Sequence, residues 1–284
     1  MQMKYKIGIN TFLFASPFTN KEVSLFSNFK SWGFDGVELA IEDPAHIDPE
    51  FVRKQLDAHG LSCTSVCAAM GPGRDLRGTD EEQETALRYI EGIIELMPIL
   101  GCPILVGPLY SVVGRTAAET EADKKIHQIL VAGNLRKVAE FAQSRQVLVS
   151  IEPLNRYETD FINTAEQAVA MVKAVDHPAL KIHLDTFHMN IEEKSPGAAI
   201  ELCGSMLGHV HACGSDRGTP GKDHTNWGEI MAALDKVEYK GSLVIESFTP
   251  DVKVIARAAS IWRQIDSSQE TIASGGVKFL RSIG

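Results

Sequence analysis

VLVSIEPLNRYETDFINTAEQAVAMVKAVDHPALKIHLDTF, residues 147–187, carries the pattern that sets the fold. Val147–Glu152 reads as a strand, Thr164–Val175 as a helix and Leu180–Asp185 as the next strand. Strands that alternate with helices imply parallel strands joined as βαβ units. Downstream the scheme continues with a short helix at Gly197–Cys203, a strand at Gly208–Ala212, a helix at Trp227–Val237 and a strand at Ser242–Ser247, after which the chain is mostly helical.

Upstream the same alternation runs back to the start. Strands are expected at Tyr5–Asn10, Asp35–Ala40, Leu61–Ala68 and Pro103–Val106, and helices at Asn20–Trp32, Pro49–His59, Asp80–Leu100 and from about Ala117 to Ser144. Gly33, Gly60 and Gly101 follow the first three helices, where a left-handed C-terminal cap is expected. Eight such units predict an α/β fold, a (β/α)8 TIM barrel, as a single domain over residues 1–284. An open doubly wound sheet would call for a glycine-rich phosphate loop after the first strand. Thr11-Phe12-Leu13-Phe14 stands there instead, and Gly71-Pro72-Gly73 reads as a turn.

Composition agrees with a soluble globular protein: 44% hydrophobic and 23% charged residues in a chain of 284. The net charge of −9, with acids and bases interspersed, argues against a nucleic-acid surface, which needs a clustered basic patch. Five scattered cysteines, Cys63, Cys67, Cys102, Cys203 and Cys213, form no C-x-x-C pair and read as buried free thiols in a reducing compartment, here the cytoplasm. Lys4 and Lys6 before an apolar stretch loosely suggest a signal peptide, but Gly8, Asn10 and Thr11 interrupt it, so it is assigned to the first strand. No apolar run reaches the roughly 18 residues needed to span a membrane.

In a (β/α)8 barrel the chemistry sits at the C-terminal ends of the strands. There, four consecutive strands each end on a metal-capable side chain: Glu152, Asp185, His211 and Glu246. One acid at a strand end could cap a helix or pair with a lysine. Several close together repel unless a cation compensates. Three carboxylates and an imidazole suit one divalent ion, Mn²⁺ first, with Mg²⁺ or Co²⁺ as alternatives. Ser150, His183 and His209 precede these residues by two, on the same inward face one layer deeper, and read as orienting or packed polar groups. His188, in the loop after strand six, can reach over the metal, whereas His177 and His224 read as surface residues. Arg217, in a glycine-rich loop, is either solvated or brought over a developing oxyanion. Glu158 is a loop ion-pair partner or an acceptor for a sugar hydroxyl, and Phe12 and Phe248 could wall a sugar pocket.

At these residues the chain resembles a known family. Ile151-Glu-Pro-Leu-Asn-Arg-Tyr-Glu158 and Leu184-Asp-Thr-Phe-His-Met-Asn-Ile-Glu-Glu193 look like signature segments of the D-tagatose, D-psicose (allulose) and L-ribulose 3-epimerases, which are xylose-isomerase-like TIM barrels. His209-Val-His211 and Ile245-Glu-Ser-Phe248 fit in order and spacing. The resemblance implies metal ligation by Glu152, Asp185, His211 and Glu246, substrate contacts by Glu158, His188 and Arg217, and a homodimer or homotetramer. Two stretches depart from the family pattern: Ala212–Asp216 with the loop Thr219–His224, and Tyr110–Thr116, which lacks an expected tryptophan.

The function implied is epimerisation of free ketoses at C3 through an enediolate, with Glu152 and Glu246 as acid and base. An aldose–ketose or hydroxypyruvate isomerase would use the same barrel and move the proton between C1 and C2. A sugar or inositol dehydratase would release water, a repair nuclease would need several zinc ions and a basic groove, and a sugar-binding module would have no use for two glutamates flanking a metal.

Overall fold

Eight parallel strands pair in chain order and close into a barrel, β1 bonding both β2 and β8. The computed structural model describes residues 4–117 and 120–284. The strands are β1 (Ile7–Asn10), β2 (Gly36–Ile41), β3 (Ser62–Ala68), β4 (Ile104–Val106), β5 (Leu148–Ile151), β6 (Leu180–Asp185), β7 (Leu207–His211) and β8 (Leu243–Ile245). The helices are α1 (Phe26–Trp32), α2 (Pro49–Ala58), α3 (Asp80–Leu100), α4 (Glu121–Ser144), α5 (Ala165–Val175), α6 (Thr186–Glu192), α7 (Pro196–Cys203), α8 (Trp227–Lys236), α9 (Lys253–Ala258) and α10 (Gln269–Ile283).

Local chemistry explains where the helices begin and end. Thr79, Thr120 and Thr164 open α3, α4 and α5 with reciprocal capping boxes to Glu82, Asp123 and Gln167. Gly33, Gly60 and Gly101 all take positive φ after α1, α2 and α3, as their positions predict. The packed core lies between the outer faces of the strands and the inner faces of the helices, with Ile9, Leu39, Val66, Val149, Leu184 and Ile245 among its buried strand residues.

Four expectations are corrected. The first helix is shorter than Asn20–Trp32, because Glu22–Leu25 is a 3₁₀ turn. The helix expected from about Ala117 starts at Glu121; residues 118 and 119 lie outside the described residues. The stretch after β6 is not a loop but α6, capped by the Asp185 carboxylate, which accepts from the Phe187 amide at 2.7 Å. Strands five and eight also stop earlier than predicted, so Glu152 and Glu246 stand one residue beyond them. Next to Glu152, Gly107 takes φ 121° after β4, and its carbonyl accepts from the Glu152 amide at 3.2 Å.

Two register shifts matter for the site. Between β2 and β3 the pairing passes from Val37↔Cys63 to Glu38↔Ser65, and between β6 and β7 from Ile182↔Leu207 to His183↔His209. Thr64 and Gly208 are the extra residues. A bulge re-aims the side chains beyond it. Here it sets Asp185 directly across from His211. A Cβ on Gly208 would come within 2.6 Å of the Lys181 Cβ and 3.0 Å of the Ile104 Cδ1. Gly208→Ala is expected to cost about 1–3 kcal/mol by overpacking, read as a lower urea midpoint at unchanged slope. Gly133→Ala is the control: Gly133 is exposed in mid-α4 with nothing within 4 Å of a new Cβ. It should gain about 0.5–1 kcal/mol.

Candidate metal centre and active site

Glu152, Asp185, His211 and Glu246 converge on one point at the C-terminal mouth of the barrel. His211 Nδ1 lies 3.4 Å from Glu246 Oε2, 3.7 Å from Asp185 Oδ2 and 4.0 Å from Glu152 Oε1. Ligand atoms about 2.1 Å from one ion stand about 3–4 Å apart, so these separations suit a shared cation. Glu152 Oε1 and His211 Nδ1 are buried without a hydrogen-bond partner. Orphaned donors and acceptors of this kind call for an explanation; Asp185, His211, Cys213 and Glu246 form one buried group that could hold a metal ion, and Glu152, Asp185 and His188 form another that shares Asp185.

Glu38, on β2, was not singled out from sequence and proves central. Its Oε1 accepts from Asn10 Nδ2 and from His211 Nε2, both at 2.7 Å. Its Oε2 accepts from the Ser65 hydroxyl and lies 2.8 Å from His209 Nε2. The bond to Nε2 leaves Nδ1 of His211 as the nitrogen facing the three carboxylates, the arrangement expected of a carboxylate that orients a metal-binding imidazole. His183 and His209 occupy the deeper layer predicted for them, with His183 Nδ1 3.6 Å from Glu152 Oε2.

Arg217 is buried, not solvated. Its Nη1 reaches Asp185 Oδ2 at 2.6 Å, Glu246 Oε2 at 2.9 Å and Cys213 Sγ at 3.2 Å, and its Nη2 lies 3.2 Å from His188 Nε2. Its guanidinium stacks between Phe187 and Phe248, 4.3 and 4.8 Å from the ring centroids. The backbone there is left-handed, φ 64°, a conformation held by its surroundings. Phe248 and Phe12 share one apolar cluster with Ala256 and Ile261. Glu158 is half-buried and joins the site through Asn155, whose Nδ2 donates to Glu158 Oε1 at 2.7 Å. Tyr110 holds the backbone beneath, its hydroxyl donating to the Glu152 carbonyl at 2.9 Å. His224 is on the surface, as expected, and His177 is half-buried.

Electrostatics divide the acids. Burial, together with the negative charge of Glu246 and Asp185, pushes the Glu152 carboxyl well above the usual range, against the pull of His211. Burial would also raise Asp185, but the Arg217 guanidinium, with His211 and His188, outweighs it and holds Asp185 well below. Glu38 behaves alike: His211 and His209 overcome its burial and keep it low. Burial would lower His211, yet Glu38 and Glu246 draw it well above the usual imidazole value. Burial lowers His188.

The fold and this rim together define the class. Residues 26–283 match the model of the xylose isomerase-like TIM barrel family, and the chain belongs to that family. Its relatives within the family are sugar epimerases, isomerases that act on carbohydrates. It is 35% identical over 279 residues to a "Probable ketose 3-epimerase" of Synechocystis sp., covering 98% of this chain and 96% of the relative. It is 34% identical to the D-psicose 3-epimerase of Ruminiclostridium cellulolyticum, over 84% of this chain and 82% of the relative. The solved D-psicose 3-epimerase with D-tagatose from Clostridium cellulolyticum H10 superposes with a TM-score of 0.86 at 29% identity, covering 98% and 99% of the two chains. The resemblance read from residues 151–158 and 184–193 is borne out.

Two outcomes test the centre. In the metal-free protein Glu152 and His211 both hold protons more tightly than usual, so binding a cation displaces them. Apparent Mn²⁺ affinity is therefore expected to rise with pH through the neutral range, and the calorimetric binding enthalpy should vary with the buffer's ionisation enthalpy. Glu38→Gln should weaken metal binding about 10- to 100-fold with little change in far-UV circular dichroism; chelator competition measures it.

Proposed function

We propose that the protein is a metal-dependent ketose 3-epimerase acting on free ketoses. One observation carries the reading: two glutamate carboxylates, borne just beyond β5 and β8, face a single imidazole nitrogen beside Asp185, with Arg217 and His188 adjacent. The family membership and the names of the relatives support it.

Glu152, Asp185, His211 and Glu246 would hold one divalent ion, with Mn²⁺ first and Mg²⁺ or Co²⁺ as alternatives. The orphaned Glu152 Oε1 and His211 Nδ1, and the hard oxygen-rich donor set, fit that group. Bound there, such an ion supplies Lewis-acid polarisation of the substrate's carbonyl.

The chain's own residues do the rest. The C3 proton of a ketose is acidic because its loss gives an enediolate conjugated with C2. Epimerisation needs a base on one face of that planar species and an acid on the other. Glu152 and Glu246 take these roles and exchange them in the reverse direction. Arg217 and His188 stabilise charge at O2. Glu158 holds a hydroxyl near C1, and Phe248 with Phe12 walls the pocket and excludes water. The same reading carries the expectation of a cytoplasmic homodimer or homotetramer; among the described residues no helix is long and apolar enough to cross a membrane.

Mn²⁺-loaded protein incubated with fructose, psicose, tagatose and ribulose is expected to yield C3 epimers by chromatography; aldoses as products would instead favour an aldose–ketose isomerase. In deuterated water, Glu152→Gln and Glu246→Gln should each lower deuterium incorporation at C3 by at least about 100-fold while the melting profile stays cooperative. Undiminished exchange in either variant would sink the two-glutamate scheme.

A further inference from the structure

The segment Tyr110–Thr116, which departs from the family pattern, is one side of a seam between rim loops. We propose that Arg77 is a positioning residue: through Asp160 it fixes the loop that carries Glu158, and so governs substrate binding rather than proton transfer. The part played by Glu158 rests on the function proposed above; the fixing of its loop does not.

The loops after β3, β4 and β5 meet at the Arg77 guanidinium. That side chain is fully buried, so its charge has to be met on the spot. Its Nη2 donates to Asp160 Oδ1 at 2.5 Å and its Nε to Ser111 Oγ at 3.1 Å, and its Cζ lies 4.9 Å from the centre of the Phe161 ring. The other Asp160 oxygen accepts from the Ala117 amide at 2.7 Å. One carboxylate from the β5 loop thus holds the β3 loop and the β4 loop together. Burial would raise the Asp160 carboxyl, but its bonds to Arg77 and to the Ala117 N–H outweigh burial and hold it low. A second pair repeats the tie. Arg115 Nη1 donates to Asp75 Oδ2 at 2.8 Å and to the Arg77 carbonyl at 3.1 Å, while Asp75 Oδ1 accepts from the Arg77 amide at 3.0 Å.

The two ion pairs enclose a short parallel bridge, Arg115 against Thr159. The Gly114 N–H donates to the Glu158 carbonyl at 2.7 Å, and the Asp160 N–H to the Arg115 carbonyl at 3.2 Å. The backbone of Glu158 is therefore held by the β4 loop, and the residue two positions on is held by Arg77. Glu152 and Glu246 stand directly beyond β5 and β8 and take their places from the barrel. Loosening the seam displaces Glu158 and leaves those two where they are. The side chain at 77 has to be an arginine for this. A lysine keeps the charge against Asp160 but has no planar fork with which to hold Ser111 as well.

The test compares Mn²⁺-loaded wild type, Arg77→Met and Arg77→Lys. Hydrogen exchange read by mass spectrometry should quicken by about tenfold in peptides spanning 110–117 and 154–162 of Arg77→Met, with the rest of the barrel unchanged. Mn²⁺ affinity should stay within about twofold. With the ketose turned over fastest, KM should rise about tenfold and kcat change less than about threefold. Arg77→Lys should fall between wild type and Arg77→Met in exchange and in KM. Arg77→Met leaves Asp160 without its partner; should it fail to fold, Arg77→Lys alone decides. Unchanged exchange in the two segments overturns the proposal. So does uniformly faster exchange across the barrel, the mark of a merely structural role, or a fall in kcat with KM unmoved. If no ketose is epimerised, the proposed function fails, and the exchange data still decide whether Arg77 fixes the loop.

Discussion

Four carboxylates share the mouth of one barrel, and keeping them there is the constraint that the rest of the site serves. Glu38, Glu152, Asp185 and Glu246 are all buried. Taking each ion from water costs several kcal/mol even after relaxation, so each must be compensated or protonated. Glu38 is surrounded by Asn10, Ser65, His209 and His211. Asp185 gives one oxygen to the start of α6 and the other to Arg217. Glu246 takes Arg217 and Asn10. Glu152 is left with an orphaned Oε1 and a carboxyl that favours its proton. Arg217 and His211 offset part of this charge, and the proton that Glu152 favours offsets more; the divalent ion of the proposed function would take over that role.

That compensation dictates much of the surrounding structure. Arg217 must reach three elements at once, and it does so from a left-handed backbone, clamped between Phe187 and Phe248. His211 must present Nδ1, so Nε2 is occupied by Glu38. Asp185 must serve both a helix and the centre, which a carboxylate can do because its two oxygens are separate acceptors. The bulge at Gly208 lets β7 place His209 and His211 opposite His183 and Asp185. Outside this polar plug the barrel is held by ordinary apolar packing against its helices, and that shell bears the cost of a charged interior.

The barrel was legible because its signals are local and repeated. Capping threonines, glycines after helices and short strands recur along the chain, and each constrains only its own neighbourhood. Element ends were less legible: Glu152 and Glu246 fall just outside their strands because strand pairing depends on neighbours far away in sequence. Helix α6 was missed since Asp185 was assigned to the centre alone, although an aspartate before Thr186-Phe187-His188 is also a helix cap. Glu38 was missed although one signal existed: a glutamate inside the apolar run Gly36–Ile41 of a barrel strand has no bland place to go.

By itself the sequence determined the alternation, the eight-unit count, and the residue types at successive strand ends, because periodicity and strand-end position are properties of the chain read in order. Tertiary structure alone decided which nitrogen of His211 faces the acids, that Arg217 is buried against two rings, and that Glu38 takes up the other nitrogen of His211. Those are matters of orientation between residues 30 to 173 positions apart. An oxygen's aim is settled by the donors that folding brings around it, and no local pattern records them.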